Sequence, residues 1–357
     1  MQRFMRLAIV HDWLKELGGA ERVLIELHAM YPNAPIYTLF YDTKFAKKHL
    51  FNARIHASFL QRIPFIAKIY PTLVWLMPIA VESFDLSQFE TVLSSSVTFS
   101  KGLVLKPSAR HICYCYSPTR FLWDRHTEYG GGLGTRLIQH VLRLWDHSSA
   151  ARVDQFIAIS ETVRNRIKKY YQKDSRIIYP PVRFDAMPDT RDEIQDTSFY
   201  LIVSRLYKHK NVELAIKVFN KLKYPLVIIG IGPEQKRLSG LANQRISFLG
   251  HLSDQETAWY YQNCRAFIMP QEEDFGITPI EAMGFGKPVI ALRKGGATET
   301  IIEGVTGEFF DDPIPEALAD AIIRFQQKTY DQKRIKAHAS QFSPDRFRLE
   351  IDNLLNS

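Results

Sequence analysis

The sequence predicts an α/β protein of two Rossmann-like domains facing one another across a central cleft. Three observations point there. The chain has 357 residues, more than one ordinary hydrophobic core organises. Short apolar runs alternate with amphipathic segments in two series, the pattern of parallel sheets covered by helices. Between the series, Asp185 to Thr197 is polar and charged without apolar periodicity, the mark of a linker. The expected domains are residues 1–182 and 183–343, with a final helix at 344–357 packing back on the first.

In the first domain, Leu7 to Val10 is an apolar run ending at His11-Asp12, the form of a buried first strand. A loop from Trp13 ends in Gly18-Gly19, and Ala20 to Leu27 has helical spacing. This strand, glycine turn and helix lacks the full G-x-G-x-x-G, so it does not specify a dinucleotide. Further strands are expected at Ile36 to Phe40, Thr91 to Ser95, Ile112 to Tyr116, Gln155 to Ile159 and Arg176 to Tyr179. Glu161 to Tyr171 is an amphipathic helix with Ser160 as its N-cap.

Ser58 to Asp85 stands apart. Prolines recur at Pro64, Pro71 and Pro78, and no charge occurs from Ile69 to Val81. The run is too short and too often broken to span a bilayer. Short helices packed on the sheet are the favoured reading. The alternative is an interfacial patch, with Arg62 and Lys68 among headgroups, Trp75, Leu76 and Met77 dipping in, and Lys101, Lys106 and Arg110 nearby. Gly130 to Gly132 with Gly134 is either a flexible turn before the helix Leu137 to Trp145 or a segment that orders over an acceptor.

The second domain alternates anew. Strands are expected at Tyr200 to Ser204, Leu226 to Gly230 and Ile246 to Leu249, and helices at Val212 to Lys221, Glu234 to Leu241 and Gln255 to Asn263. Then comes the most informative stretch, Ala266 to Ile302. Two buried strands, Ala266 to Pro270 and Pro288 to Leu292, deliver two glycine-containing loops to one sheet edge. Such an edge suits a phosphorylated ligand, because backbone N–H groups and helix dipoles favour an anion. Glu273 and Glu281 flank the first loop. Their spacing does not set them at the roughly 5 Å of a retaining glycosidase pair. Thr278-Pro279-Ile280-Glu281 has the form of a capping box, so Glu281 is either a cap, a ligand group or both. Glu273 follows a strand end and has no such local role.

Charge is uneven. Residues 1–182 hold 24 Lys and Arg against 14 Asp and Glu, and the remainder 22 against 24. The first half is therefore expected either to meet something anionic, such as a lipid headgroup surface, a lipid phosphate or nucleic acid, or to present a solvated basic surface. Cys113, Cys115 and Cys264 form no disulfide framework, and Cys113 and Cys115 share one strand face as small buried hydrophobes. A reducing cytosol fits, and no charged-then-apolar leader precedes the first strand. Nucleic-acid binding has only the net charge behind it, and no recognised motif.

The run EEDFGITPIEAMGFGKPVIA, holding Glu273 and Glu281, resembles the E-x7-E signature of glycosyltransferase family 4, retaining enzymes of the GT-B fold. Gly18-Gly-Ala-Glu-Arg-Val23, Ser204-Arg-Leu with Lys210, Gly230-Ile-Gly-Pro233, Phe248-Leu-Gly250 and Gly295-Gly296 leading to Glu299 extend the resemblance over nearly the whole chain. EEDFGITPIEAM and SPTRFLWD (Ser117 to Asp124) most resemble the WbaZ-like O-antigen mannosyltransferase branch.

The resemblance implies transfer of a sugar to a lipid-linked saccharide acceptor in surface-polysaccharide synthesis. GDP-mannose is the favoured donor and a UDP-sugar the alternative. Arg205 and Lys210 would clamp the diphosphate, and Glu273 would hold the donor sugar. The donor would also meet Gly18, Gly19, the backbone of Phe275, Gly276, Ile277 and Thr278, and Glu281 at the ribose. Tyr116 and Arg120 would lie on the acceptor side. No cofactor or metal is implied. The location implied is cytoplasmic, peripheral at the inner face of an anionic membrane. One position departs from the pattern: many relatives carry a histidine where this chain has Tyr116, and tyrosine cannot serve as an imidazole base. His111 is no convincing stand-in. Front-face displacement, with the leaving phosphate taking the acceptor proton, follows from the resemblance. A nucleotide-sugar 2-epimerase of the same fold and a non-catalytic carbohydrate-binding assembly partner remain alternatives.

Overall fold

The computed structural model describes residues 6–128, 131–184 and 199–356. The expected linker at 185–197 lies outside the described residues. Contacts divide the chain into a first unit, Met1–Tyr179 with Arg348–Ser357, and a second, Pro180–Phe347.

The first unit is built on β1 (Leu7–Leu14), β2 (Ile36–Tyr41), β3 (Ile55–Ala57), β4 (Thr91–Ser96), β5 (Arg110–Cys115), β6 (Gln155–Ala158) and β7 (Ser175–Ile177). They form one parallel sheet in the order β3-β2-β1-β4-β5-β6-β7. Parallel neighbours need crossovers, here mostly helical, and the strands inside the sheet are accordingly buried on both faces. Helices used below are α1 (Gly19–Met30), α2 (Met77–Glu82), α3 (Leu133–Ala151) and α4 (Glu161–Tyr171). Ser160 caps α4 as expected, its hydroxyl accepting from the Val163 amide.

Residues 58–85 fold into short helical turns whose inward side chains, Leu60, Ile66, Met77 and Val81, join the core with Val10, Leu39 and Val92. That corrects the interfacial alternative in two places. Met77 is fully buried and Leu76 half-buried, leaving Trp75 exposed among the three. Lys101 is also buried, because it is ion-paired inside the core with Asp146. All three cysteines are free and buried.

The second unit has β8 (Tyr200–Val203), β9 (Leu226–Ile229), β10 (Ile246–Gly250), β11 (Ala266–Met269), β12 (Val289–Leu292) and β13 (Gly307–Phe310). They form a parallel sheet in the order β10-β9-β8-β11-β12-β13. Its core gathers Tyr200, Ile228, Ile268 and Ile290 with Phe219 and Ile322 from the covering helices. Helix α5 (Ile277–Gly284) follows β11, and α6 (Pro344–Leu355) closes the chain. The later part of α6 docks on α1: Arg348 pairs with Glu26, and the Tyr31 hydroxyl donates to Asp352 over 3.1 Å. Among the described residues, no helix is long and apolar enough to cross a membrane.

Candidate active site

In each sheet the strand order reverses direction at one place, where ligands enter beyond the carboxyl ends of the strands. In the second unit the reversal lies between β8 and β11. The loop after β8 carries Arg205 and Lys210, and the loop after β11 carries Glu273. The side chains meet: the Lys210 ammonium donates to the Glu273 carboxylate. Gln271 Nε2 donates to the same oxygen over 3.0 Å. Asn211, in the left-handed region, ties the Lys210 turn to the β11 loop through a 3.1 Å bond to the Pro270 carbonyl. Burial pushes the Glu273 carboxyl up, but the Lys210 charge, the bonds from Lys210 and Gln271 and the His209 charge outweigh it, holding the group below its usual value.

Arg205 is exposed, its guanidinium 5.8 Å from the centre of the Tyr207 ring. Its loop lies hard against the β9 loop. Gly230 has φ +137°, and a Cβ there would come within 1.9 Å of the Ser204 carbonyl oxygen. The Gly295-Gly296 loop meets the Glu273 loop in the same close way. The Gly296 amide donates to the Glu273 carbonyl over 2.8 Å, and a Cβ on Gly295 would sit 2.2 Å from that oxygen. The two glycine loops anticipated from Ala266 to Ile302 therefore do reach one edge.

The expected capping box is not formed. Gly276, at φ +89°, is the N-cap of α5, so Thr278 is already inside the helix. A glycine in that conformation lets the helix begin before Thr278. Glu281 instead accepts from the Tyr261 hydroxyl over 2.8 Å. The Phe275 ring is buried against Phe342, which leaves its backbone rather than its side chain for a ligand. The backbone of Gly276, Ile277 and Thr278 forms the start of α5, where the helix dipole is positive.

In the first unit the reversal lies between β1 and β4. Gly18 is the N-cap of α1, Gly19 its first residue, and the Gly18 amide donates to Glu21 Oε2 over 2.9 Å. Tyr116, just past β5, donates its hydroxyl to the Ala20 carbonyl over 3.0 Å. Its oxygen is 2.9 Å from Ser95 Oγ, which is 3.0 Å from His11 Nδ1. A phenol has one proton, so Ser95 donates to Tyr116 and the Nδ1–H of His11 donates to Ser95. His11 Nε2 lies 3.6 Å from Glu21 Oε1, which closes the chain of groups around the glycine turn. Burial pushes the Tyr116 phenol well up and keeps it neutral. Tyr116 thus fastens the glycine turn to the sheet. Arg120 is half-buried, with Nε 3.5 Å from Asp124, which Arg166 also approaches at 3.3 Å.

Two buried carboxylates escaped the sequence reading. Asp12 accepts from the amides of Val97, Thr98, Phe99 and Ser100 at 2.6–2.9 Å and so shapes the loop after β4. Asp146 on α3 accepts from Lys101, Thr119, Trp123 and Tyr171 at 2.5–2.8 Å, pinning the SPTRFLWD loop to α3 and α4. The available signals were an acid ending a buried strand and one on the inward face of a helix. Among the described residues, no group of three or more His, Cys, Asp or Glu is placed to hold a metal ion.

Residues 185–342 match the family model described as "Glycosyl transferases group 1". The Alpha-1,3/1,6-mannosyltransferase ALG2 of Dictyostelium discoideum is 23% identical, over 97% of this chain and 95% of its own. ALG2 of Saccharomyces cerevisiae is 26% identical, over 85% of this chain and 72% of its own. Among solved structures, Anabaena HepE in complex with UDP superposes with a TM-score of 0.73 at 17% identity, covering 99% of this chain and 100% of HepE. That likeness shows the fold: two Rossmann-like domains of the GT-B type.

Proposed function

We propose that this chain, whose residues 185–342 match the family model described as "Glycosyl transferases group 1", is a glycosyltransferase that moves mannose from GDP-mannose to a lipid-linked saccharide with retention. The observation that carries the reading is the Lys210–Glu273 pair at the reversal of the second sheet, beside the start of α5. A nucleotide diphosphate sugar needs cations for its phosphates and an acceptor of hydroxyl hydrogen bonds for its sugar. This edge supplies both, with amides at a helix start.

In the proposed reaction, an acceptor hydroxyl attacks the anomeric carbon on the face the diphosphate leaves. The bond to the phosphate oxygen breaks, and that oxygen takes both the electron pair and the acceptor proton. Arg205 and Lys210 stabilise the departing anion, so the reaction proceeds without a metal ion. Glu273 accepts from sugar hydroxyls and Glu281, steadied by Tyr261, from the ribose. Gly18 and Gly19 let backbone approach the phosphates without a Cβ. Tyr116 and Arg120 belong to the acceptor side, Tyr116 by holding the glycine turn.

Mannose is supported by the two ALG2 relatives, both named mannosyltransferases. A UDP-sugar is the second reading, favoured by the fold shared with HepE, which was solved with UDP. A role in surface-polysaccharide or O-antigen synthesis, at the inner face of the cell membrane, rests on the EEDFGITPIEAM and SPTRFLWD runs and the basic first half.

Thermal-shift titration with GDP, UDP and ADP separates the bases, since a ligand at 100 times its dissociation constant adds about 2.7 kcal/mol. GDP should stabilise most. Incubation with GDP-mannose and a lipid-linked saccharide should then yield an α-mannoside. Conversion of the nucleotide sugar to its epimer, or binding without any turnover, overturns the reading.

A further inference from the structure

Helix α3 carries an apolar stripe that the fold leaves uncovered. Leu133, Leu137, Val141 and Leu144 recur at spacings of three and four residues and are 56–86% exposed. They share one face. The opposite face buries Gln139, Leu142, Asp146 and Ser149. The cations Arg136 and Arg143, with His140 and His147, follow one border of the stripe at the same helical spacing. The helix has one acidic residue, Asp146, and it is buried in its bond to Lys101.

The stripe continues onto a second element. Trp145, beside Leu144 and one turn beyond Val141, donates its indole N–H to Glu82 of α2 over 2.8 Å, and Arg152 reaches the same carboxylate. Ile79 lies one turn before Glu82 on α2 and is 56% exposed, and Trp75, four residues earlier, is 50% exposed. Single exposed apolar residues are ordinary; six large ones on α3, α2 and the helical turn just before α2 are not.

We propose that this face rests on an anionic lipid bilayer. Helix α3 lies in the interfacial plane, its stripe at the acyl boundary and Arg136 and Arg143 among the headgroups. Charge complementarity selects the lipid surface over a second copy of the chain. The cations border the stripe without an exposed acid on the same helix, so another α3 offers them nothing to meet. The excess of 24 basic over 14 acidic side chains in residues 1–182 acts in the same direction. The proposal deepens the reading of a membrane-borne acceptor and rests on it. It assigns the main contact to α3, with Trp75 and Ile79 at its edge.

Sedimentation with phosphatidylglycerol vesicles tests it, with phosphatidylcholine vesicles and raised salt as comparisons. The intact protein should bind the anionic vesicles at least tenfold more tightly, and salt should weaken binding. The double variant Leu137→Glu with Val141→Glu should lose at least tenfold while keeping its thermal midpoint and its transfer to a water-soluble acceptor analogue. A fluorophore on Leu137→Cys should shift to the blue on adding vesicles, a readout that needs no charge in the stripe. Unchanged binding by the double variant, no blue shift, or a dimer of the intact protein that this variant dissociates overturns the proposal. Loss of transfer with vesicle binding intact would instead count against the glycosyl-transfer reading.

Discussion

The Lys210 ammonium and the Glu273 carboxylate bond each other across the reversal point of the second sheet. The residue assigned to the donor phosphates and the residue assigned to the donor sugar are therefore partners. A donor that engages both must exchange one protein bond for two ligand bonds, and it meets groups already aimed at the same place.

This pair makes a prediction about pH. The Glu273 carboxyl is held below its usual value of about 4.3. A depressed carboxyl contributes stability that is present above that unfolded value and is lost as pH falls through the folded one. Lys210→Met removes the charge and a bond, leaves burial dominant, and should move Glu273 upward. The acid limb of the kcat/KM profile should then shift to higher pH, and an unmoved limb would separate Glu273 from catalysis.

Arg205 is exposed, so Arg205→Ala should change folding stability by less than about 0.5 kcal/mol. Its assigned work is on the departing diphosphate, where one lost stabilising group costs about 10²–10³ in kcat. Steady-state kinetics beside a melting curve measures both. A fall in stability without a fall in kcat contradicts the assignment.

Gly295→Ala would place a Cβ 2.2 Å from the Glu273 carbonyl oxygen at a residue with φ +63°. The strain should cost about 1–3 kcal/mol and displace the Glu273 loop. Urea unfolding gives the first quantity, and the loss of nucleotide-sugar affinity relative to bare nucleotide gives the second.

Tyr116→Phe deletes the bond to the Ala20 carbonyl and leaves Ser95 without its phenol partner. A loss of about 1–3 kcal/mol is expected. If Tyr116 fastens the glycine turn rather than exchanging protons, KM for the donor should rise more than kcat falls. A kcat collapse at unchanged KM would return Tyr116 to the chemistry.

Asp146→Asn leaves Lys101 buried without its counter-charge. Removing one partner of a buried pair costs about 3–5 kcal/mol, and denaturant midpoints should fall accordingly. The effect should exceed that of any exposed ion pair, such as Lys168 with Asp174.

Much of the fold was legible because parallel strands buried on both faces are continuous apolar runs. Leu7 to Val10, Ile112 to Tyr116 and Ala266 to Pro270 each fall on a strand. Short edge strands such as β3 and β13 were not foreseen, since three or four residues carry too little periodicity. Glu273 stood out as an acid just past a strand end, whereas Arg205 and Lys210 stood out only through the resemblance of Ser204-Arg-Leu with Lys210 to the family's motifs. Asp12 and Asp146 did not, because a carboxylate buried among donors is spelled the same as one in water.

The order of the residues already carried the two series of strands and helices and the glycines at the sheet edges. Local periodicity and backbone preference act over a few residues, so they can be read along the chain. Tertiary structure alone decided that Lys210 holds Glu273, that Gly276 rather than Thr278 begins α5, and that Tyr116 binds the glycine turn. It also decided that Met77 and Lys101 lie inside while the stripe of α3 lies outside. Each depends on groups far apart in the chain being brought within hydrogen-bond or packing distance, and no spacing rule contains that information.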